Sequence, residues 1–181
     1  MKKMPEPDMA MKLMFFIHDN ALRRLMENPY KMLKNAGVEE GKKVLEIGCG
    51  TGYFTIPAAQ IVGENGRVYA LDIHPLSIEK VRDKIKKFGV GNVIPVLSPA
   101  HDTGIEDECV DVAFLFGVVH KIDEYFYEVM EEMRRVIKKG GILSIKKSSL
   151  WKKKLKYALE GMFDYVCYKG GVHIFSNYLP F

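Results

Sequence analysis

Short apolar runs alternate along this chain with stretches in which apolar residues recur every three or four positions. The strand-like runs are residues 44–47, 67–72, 93–97, 110–117 and 142–145. Helical spacing marks residues 9–26, 30–34, 54–62, 78–88, 126–137 and 150–160. Because strands alternate with helices, the pattern predicts βαβ units and a mostly parallel sheet.

Three features refine the predicted sheet. The run 110–117 is nearly all apolar, which is typical of a central parallel strand buried on both faces. Pro95 lies inside the third run and favours an edge strand there, because only an edge can spare a backbone amide. Near the end of the chain, the runs 163–168 and 172–176 flank Lys169-Gly170-Gly171, which predicts a closing β-hairpin.

The composition is that of an ordinary globular protein. The 181 residues suit one domain, 48% of them are hydrophobic, and the formal charge is +4. The three cysteines form no Cys-x-x-Cys pair, so we expect neither a disulfide framework nor a metal site, and we expect a reducing, cytoplasmic setting. The apolar run at residues 13–17 is too short for a signal peptide or a membrane span, so we expect no membrane partner.

The first strand-like run ends in a glycine-rich turn. Glu46, Gly48, Gly50 and Gly52 stand at every second position, and a helical pattern follows. Glycines let the backbone approach a ligand, and the amides at a helix start give a weakly positive surface. A dinucleotide-binding turn requires Gly-x-Gly-x-x-Gly, and its third glycine would fall on Tyr53. The spacing therefore disfavours a dinucleotide, and a tight turn without a ligand is the alternative.

A second acidic residue ends the next strand-like run. Asp72 lies 24 positions after Gly48, and an acid at the end of the second strand of a βαβ unit can accept both hydroxyls of a ribose. The alternative is that Asp72 caps the next helix, since Pro75 follows closely. We expect His74 to be a surface residue.

The segments Glu46-x-Gly48-x-Gly50-x-Gly52 and Ala70–Pro75 resemble the first two motifs of class I S-adenosylmethionine-dependent methyltransferases. The resemblance covers roughly residues 37–176 and extends to the order and spacing of the motifs. It implies an α/β fold with a Rossmann-like, doubly wound, seven-stranded and mostly parallel sheet in the order 3-2-1-4-5-7-6. It also implies a C-terminal antiparallel hairpin and N-terminal helices.

The same resemblance divides the chain into two parts. We expect residues 1–36 to form a helical appendage or lid that covers the active site, with simple capping of one edge of the core as the alternative. We expect residues 37–181 to form the cofactor-binding methyltransferase domain.

The cofactor implied by the resemblance is S-adenosylmethionine, with S-adenosylhomocysteine as its product. Glu46 would meet the amino group of the methionine moiety, Asp72 would hold the ribose, and Ile73 would lie against the adenine. The expected cofactor-binding residues are Glu46, Gly48, Cys49, Gly50, Gly52, Asp72, Ile73, Ala100 and Phe116.

Pro99 is the main departure from the family pattern. It stands where the family has an aspartate that accepts from the adenine amino group, and proline has no side-chain acceptor. Adenine recognition would then depend on the backbone of Ala100, helped by His101 or Asp102. Pro99 also motivates an alternative function, namely a non-catalytic protein that binds S-adenosylmethionine or another partner.

We expect an in-line transfer of the sulfonium methyl to a small-molecule acceptor. His120 follows the fourth strand, and a histidine there could take a proton from an oxygen or nitrogen nucleophile. A helix-start histidine bonded to the backbone is the alternative. The most basic stretch consists of Lys146, Lys147, Lys152, Lys153, Lys154 and Lys156. We expect these lysines to be solvated, with an acidic substrate or an RNA backbone as the alternative, so methylation of RNA or protein stays open.

Overall fold

A seven-stranded sheet with helices on both faces forms the part of the chain that the computed structural model describes, residues 27–119, 123–147 and 149–178. The helices are α1 (Pro29–Asn35), α2 (Thr55–Val62), α3 (Pro75–Phe88), α4 (Phe126–Val136) and α5 (Lys152–Ala158). The strands are β1 (Lys43–Ile47), β2 (Arg67–Asp72), β3 (Val93–Leu97), β4 (Val110–Phe116), β5 (Ile137–Lys146), β6 (Asp164–Lys169) and β7 (Val172–Ser176). Short 3₁₀ turns precede α4 at Asp123–Tyr125 and α5 at Ser149–Trp151.

The strand order is β3-β2-β1-β4-β5-β7-β6, which confirms the predicted Rossmann-like sheet. Strands β1 to β5 are parallel, β7 is antiparallel to β5, and β6 is antiparallel to β7. The chain leaves β1 toward β2 on one side and returns to β4 on the other, so the topological switch point lies between β1 and β4. Open α/β sheets bind ligands at the carboxyl ends of the strands beside this point.

Both faces of the sheet are buried at the central strands β1, β2 and β4, as expected for parallel strands covered by helices. Successive side chains of a strand point to opposite faces. One face packs Val44, Val112 and Phe114 against α1, α2 and α3, and the other packs Leu45 and Leu115 against α4 and α5. The face that packs against α1, α2 and α3 also carries the polar and aromatic side chains at the ligand-binding edge. They lie at or next to the carboxyl ends of their strands and are Glu46, Asp72, Phe116 and Lys146.

The fifth strand begins earlier than predicted. The sequence indicated a helix ended by residues 138–141 and a strand at 142–145, but the helix ends at Val136 and β5 starts at Ile137. Ile137 has extended backbone angles and pairs with Val110, and the register shifts between Val110 and Val112. A bulge of this kind allows Gly140 and Gly141, which are typical of a helix end, to lie within the strand.

The connection between β3 and β4 is attached to α4 by a buried acid. The amide and the hydroxyl of Thr103 both donate to Oε1 of Glu132, at 2.8 and 2.6 Å. The Nε of Arg135 donates to Oε2 of Glu132 at 2.8 Å. Burial opposes ionisation, but the hydrogen bonds from Arg135 and Thr103 lower the pKa of Glu132 to about 2.

The helix α1 is part of the core. Leu33 is fully buried in it, and the hydroxyl of Ser144 on β5 donates to the carbonyl of Ala36 at 2.8 Å. Gly37 follows the end of the helix with a φ of +87°. The prediction of a helix at 9–26 lies outside the described residues, and the boundary between an appendage and a domain at residue 36 stays a prediction.

Pro95 lies in β3 at the edge of the sheet, as the sequence indicated. Within the described ranges, no helix combines the length and the apolar character needed to cross a membrane.

Candidate cofactor site at the carboxyl edge of the sheet

The turn after β1 uses all three of its glycines in the left-handed region of backbone space. The φ angles of Gly48, Gly50 and Gly52 are +73°, +53° and +78°. Residues other than glycine adopt such angles at a cost of about 1–2 kcal/mol. The amides of Gly48 and Cys49 donate to the carbonyl of Leu71 at 2.8 and 2.9 Å, which attaches the turn to β2.

The space around the three glycines differs. A Cβ at Gly48 would stand 2.9 Å from the nearest methyl carbon of Val118, and one at Gly52 would stand 3.2 Å from Val81. A Cβ at Gly50 would meet nothing within 4 Å. Gly48 and Gly52 are therefore required by packing, whereas Gly50 borders open space in which a ligand can approach the backbone.

Asp72 joins the glycine turn to the loop after β2. Its Oδ2 accepts from the amide of Gly50 and its Oδ1 from the amide of His74, both at 2.9 Å. The side chain is only 9% exposed, and the two amides fix the position of the carboxylate. Each carboxylate oxygen has a further lone pair, so both can still accept from the two hydroxyls of a ribose.

The helix α3 is capped by His74 and not by Asp72. The Nδ1 of His74 accepts from the amide of Leu76 at 3.2 Å. The alternative that Asp72 caps this helix is therefore wrong, and so is the prediction that His74 is a surface residue, because it is only 4% exposed. Asp72 and His74 instead form two successive turns, in each of which the side chain accepts from the backbone amide two residues further on.

Glu46 lies beneath the glycine turn and is 3% exposed. Thr55, the first residue of α2, donates its hydroxyl to Oε2 of Glu46 at 2.5 Å. Burial raises the pKa of Glu46 to about 8; the Asp72 charge also raises it, whereas Thr55 and Lys84 lower it. Glu46 is therefore largely protonated at neutral pH until a cation lies nearby.

Cys49 is buried within the glycine turn. Burial raises the pKa of its thiol, and the carboxylates of Glu46 and Asp72 add to the effect. The residue is thus a packed, protonated thiol and not a nucleophile, and its predicted contact with the cofactor stays a prediction.

The adenine side of the predicted site is apolar. Ile73 and Leu97, at the ends of β2 and β3, are half-exposed. The next turn closes through the amide of Asp102, which donates to the carbonyl of Pro99 at 3.2 Å. Ala100 lies half-buried in this turn. These positions suit a flat apolar base, and the cofactor contacts of Ile73 and Ala100 stay predictions.

His101, which sequence reasoning offered as a helper for adenine, stacks on Tyr125 with a ring separation of 5.5 Å.

The opposite side of the crevice is aromatic. Phe116, the last residue of β4, packs edge-on against Phe54 at 5.0 Å, and Phe54 packs edge-on against Tyr53 at 4.9 Å. The hydroxyl of Tyr53 donates to the carbonyl of Glu27 at 2.8 Å. The carboxylate of Glu27 in turn forms an ion pair with Lys146 at the end of β5.

Glu27 thus joins the glycine turn to the end of β5, across the end of β4. Sequence reasoning missed this bridge. Lys146 was expected to be solvated, because the register that sets it beside Phe116 is visible only in the structure, and nothing in the pattern marked Glu27.

A cavity of about 310 Å³ lies on the outer side of the glycine turn. Its walls come from α1, α2 and α3 and include Gly52, Tyr53 and Lys84. The acidic pair Glu46 and Asp72 does not belong to these walls, whereas Gly52 and Tyr53 of the glycine turn do.

His120 lies outside the described residues, so its catalytic role stays a prediction. Among the residues that are described, no cluster of histidine, cysteine or acidic side chains has an arrangement that could hold a metal.

Comparison with known proteins agrees with this geometry. A family model described as a methyltransferase domain matches residues 38–171. The demethylmenaquinone methyltransferase of Geobacillus stearothermophilus is 31% identical over 122 residues, which are 67% of this chain and 52% of that protein. A probable cobalt-precorrin-6B C(15)-methyltransferase (decarboxylating) of Saccharolobus solfataricus is 36% identical over 116 residues, 62% of this chain and 56% of that protein. This chain therefore spans about half the length of the curated relatives that it matches.

A solved structure matches over nearly the whole chain. The crystal structure of a SAM dependent methyltransferase from Aquifex aeolicus aligns with a TM-score of 0.76 at 25% identity. The alignment covers 95% of this chain and 98% of the other.

Proposed function

We propose that this chain, which belongs to the methyltransferase-domain family and has S-adenosylmethionine as its cofactor, transfers a methyl group to a small-molecule acceptor. The observation that carries the proposal is the arrangement of two acids around an open glycine turn. Asp72 is held in place by two backbone amides, Glu46 lies buried beneath the turn, and Gly50 borders open space.

These residues fit the chemistry of the cofactor. S-adenosylmethionine supplies an electrophilic methyl group on a sulfonium centre. The carboxylate of Asp72 would accept from the ribose hydroxyls, and the backbone at Gly50 would lie against the ligand. Glu46 would give up its proton as the ammonium group of the cofactor arrives, because a nearby cation favours the ionised carboxylate.

The aromatic side of the crevice would receive the acceptor. The rings of Tyr53, Phe54 and Phe116 pack edge to edge there and would exclude water, and the ion pair between Glu27 and Lys146 would close the far end. With both reactants held by the protein, alignment supplies much of the acceleration. His120 would act as the general base for an oxygen or nitrogen nucleophile. The small-molecule substrates in the names of the curated relatives support an acceptor of this class.

Calorimetric titration tests the cofactor site. We expect the wild-type protein to bind S-adenosylmethionine and S-adenosylhomocysteine but not NAD. Asp72→Asn should weaken binding at least tenfold, because an amide replaces one of the acceptor oxygens. The matched control is Asp83→Asn on the exposed side of α3, which should bind like the wild type. Absence of binding by the wild type would overturn the proposal.

Transfer itself is tested with methyl-labelled S-adenosylmethionine. Small-molecule extracts, RNA and protein are offered separately as acceptors. Label in the small-molecule fraction supports the proposed acceptor, and label in RNA or protein assigns the activity to those classes. Cofactor binding without transfer to any fraction would favour the non-catalytic alternative that Pro99 motivates.

A further inference from the structure

The segment after β5 carries an unusual concentration of positive charge. Six lysines and no acidic residue occur between residues 146 and 159. Large apolar side chains stand among them in full solvent contact, since Leu150 is 91% exposed and Tyr157 is 80% exposed. A stretch of lysines alone is commonly a solvated surface, whereas exposed apolar side chains among lysines give this segment the mixed character of interfacial segments.

The fold fixes which side of this segment faces outward. Leu155 is buried in the core, so α5 is attached to the sheet by its inner side. Leu150 lies in the 3₁₀ turn before α5 and Tyr157 lies within the helix, and both side chains are exposed to solvent. Lys153 and Lys154, between them in sequence, are also exposed.

Lysine ammonium groups cover the aromatic rings in and beside this segment. Those of Lys147 and Lys154 each lie 4.4 Å from the centre of the Trp151 ring. Those of Lys152 and Lys156 lie 5.2 and 5.3 Å from the centre of the Tyr165 ring. Such contacts hold the cations above apolar surface and reduce the access of other planar groups to the rings.

We propose that these residues form a docking surface for an anionic lipid bilayer. The surface consists of Lys147, Leu150, Trp151, Lys152, Lys153, Lys154, Lys156 and Tyr157. Leu150 and Tyr157 would enter the interface while the lysines contact anionic headgroups, which is how interfacial segments combine apolar burial with charge. RNA is less well matched at Trp151, because two lysines already cover the ring on which a base would stack.

The surface borders the edge of the sheet that holds the cofactor crevice. Lys146 ends β5 at that edge, and the docking surface starts with the next residue. A docked molecule would therefore turn the acceptor side of the crevice toward the bilayer. The absence of a membrane partner was expected from the lack of a spanning segment, and a surface that lies on the bilayer needs no span.

Energy transfer from Trp151 tests the proposal directly. Trp151 is the single tryptophan of the chain, so transfer to a dansyl-labelled lipid reports the approach of this surface alone. The full chain is mixed with vesicles of phosphatidylcholine, with or without an equal part of phosphatidylglycerol. We expect transfer with the anionic vesicles only, and we expect salt to weaken it. Because the readout is binding, its failure would leave the proposed methyl transfer untouched.

The variant that tests the surface is Lys152→Gln, Lys153→Gln, Lys156→Gln, which retains Lys147 and Lys154 beside the reporter. We expect it to lower the partition coefficient on the order of a hundredfold, since each of the three lysines contributes roughly fivefold near an anionic surface. The matched control, Lys80→Gln, Lys86→Gln, Lys87→Gln, removes the same charge from the exposed side of α3. The control should bind like the wild type.

A second variant, Leu150→Ser, Tyr157→Ser, leaves the charge unchanged and should abolish the binding that remains at high salt. Circular dichroism establishes that each variant is folded. The proposal is overturned if anionic vesicles give no transfer, or if the surface variant and the α3 control lose binding equally. It is also overturned if poly(U) binds through these lysines while vesicles do not, because the partner is then RNA.

Discussion

Replacing Glu46 with glutamine should make the protein more stable at alkaline pH. The unfolded chain releases the proton of this carboxyl near its ordinary pKa of 4.5, whereas burial keeps it on the folded protein until about pH 8. Ionisation therefore lowers the free energy of the unfolded state as the pH rises from 4.5 to about 8, and the free energy of unfolding decreases. The amide of the Glu46→Gln variant has no such proton to release, so the variant escapes the loss.

The size of the effect follows from the two pKa values. Their difference corresponds to about 5 kcal/mol once the pH exceeds 8, at 1.36 kcal/mol for each pKa unit. Between pH 5 and pH 9 the wild type should lose about 4 kcal/mol relative to the variant. The substitution also alters the hydrogen bond from Thr55 and adds an amide donor. These effects shift the stability of the variant by the same amount at every pH, so they do not contribute to the change with pH.

Urea unfolding at pH 5, 7 and 9 measures this change. The matched control is Glu64→Gln, at an exposed position in the turn after α2, whose stability should follow the wild type across the range. Parallel stability curves for the wild type and Glu46→Gln would refute the reasoning, because they would mean that Glu46 is not buried as a neutral acid.

The same residue predicts a proton released on cofactor binding. An ammonium group close to Glu46 favours its ionisation, so binding at pH 7 should release up to one proton from the wild type and less from Glu46→Gln. Calorimetry in buffers of different ionisation enthalpy measures the number. Equal release from both proteins would remove Glu46 from the ammonium site.

Three further predictions concern the glycine turn, the acid on α4 and the bridge across the crevice. Gly48→Ala should lower the free energy of unfolding by more than the 1–2 kcal/mol of the backbone angle, because the new Cβ also contacts Val118. Gly50→Ala should lower it by about 1–2 kcal/mol only, and its main effect should be weaker cofactor binding. Glu132→Gln should lower the free energy of unfolding by about 3 kcal/mol at pH 7. The wild type should lose the same stability as the pH falls from 4.5 toward 2, because Glu132 takes up its proton in the folded protein only near the lower pH. A double-mutant cycle of Lys146→Met and Glu27→Gln should give a coupling energy of roughly 1–2 kcal/mol, because both side chains are largely shielded from solvent.

Chemical denaturation measures all three, with calorimetry for the glycine variants. Glu131→Gln is the control for α4, since its exposed neighbouring carboxylate should tolerate the change. A larger stability loss for Gly50→Ala than for Gly48→Ala would contradict the assigned packing. Equal stability losses for Glu131→Gln and Glu132→Gln would contradict the hydrogen-bonded role assigned to Glu132. A coupling energy near zero would show that the ion pair between Glu27 and Lys146 does not form in solution.

The features that the sequence predicted are local in the chain. The glycine turn, Asp72 and the strand that ends at Phe116 follow from spacing within about 30 residues and from the alternation of strands and helices. The strand order came from resemblance to a family, because hydrophobic periodicity identifies strands but not their neighbours.

The features that the sequence missed depend on contacts between distant residues. Glu27 and Lys146 are 119 positions apart, and Thr103 and Glu132 are 29 apart. Each of these polar residues looks like ordinary surface until the fold brings its partner close. The burial of His74 was missed for a related reason, since a histidine cap cannot be distinguished from an exposed histidine without the helix that it caps.

The two edges of the sheet differ in how they can associate with other chains. Pro95 stands in the middle of β3, and proline carries no amide hydrogen, so a strand added outside β3 would meet a gap in its hydrogen-bond ladder. At the other edge, β6 offers an exposed strand that contains no proline. Growth of the sheet by a second copy is therefore disfavoured beside β3, and a partner that pairs strand to strand with this protein would do so along β6.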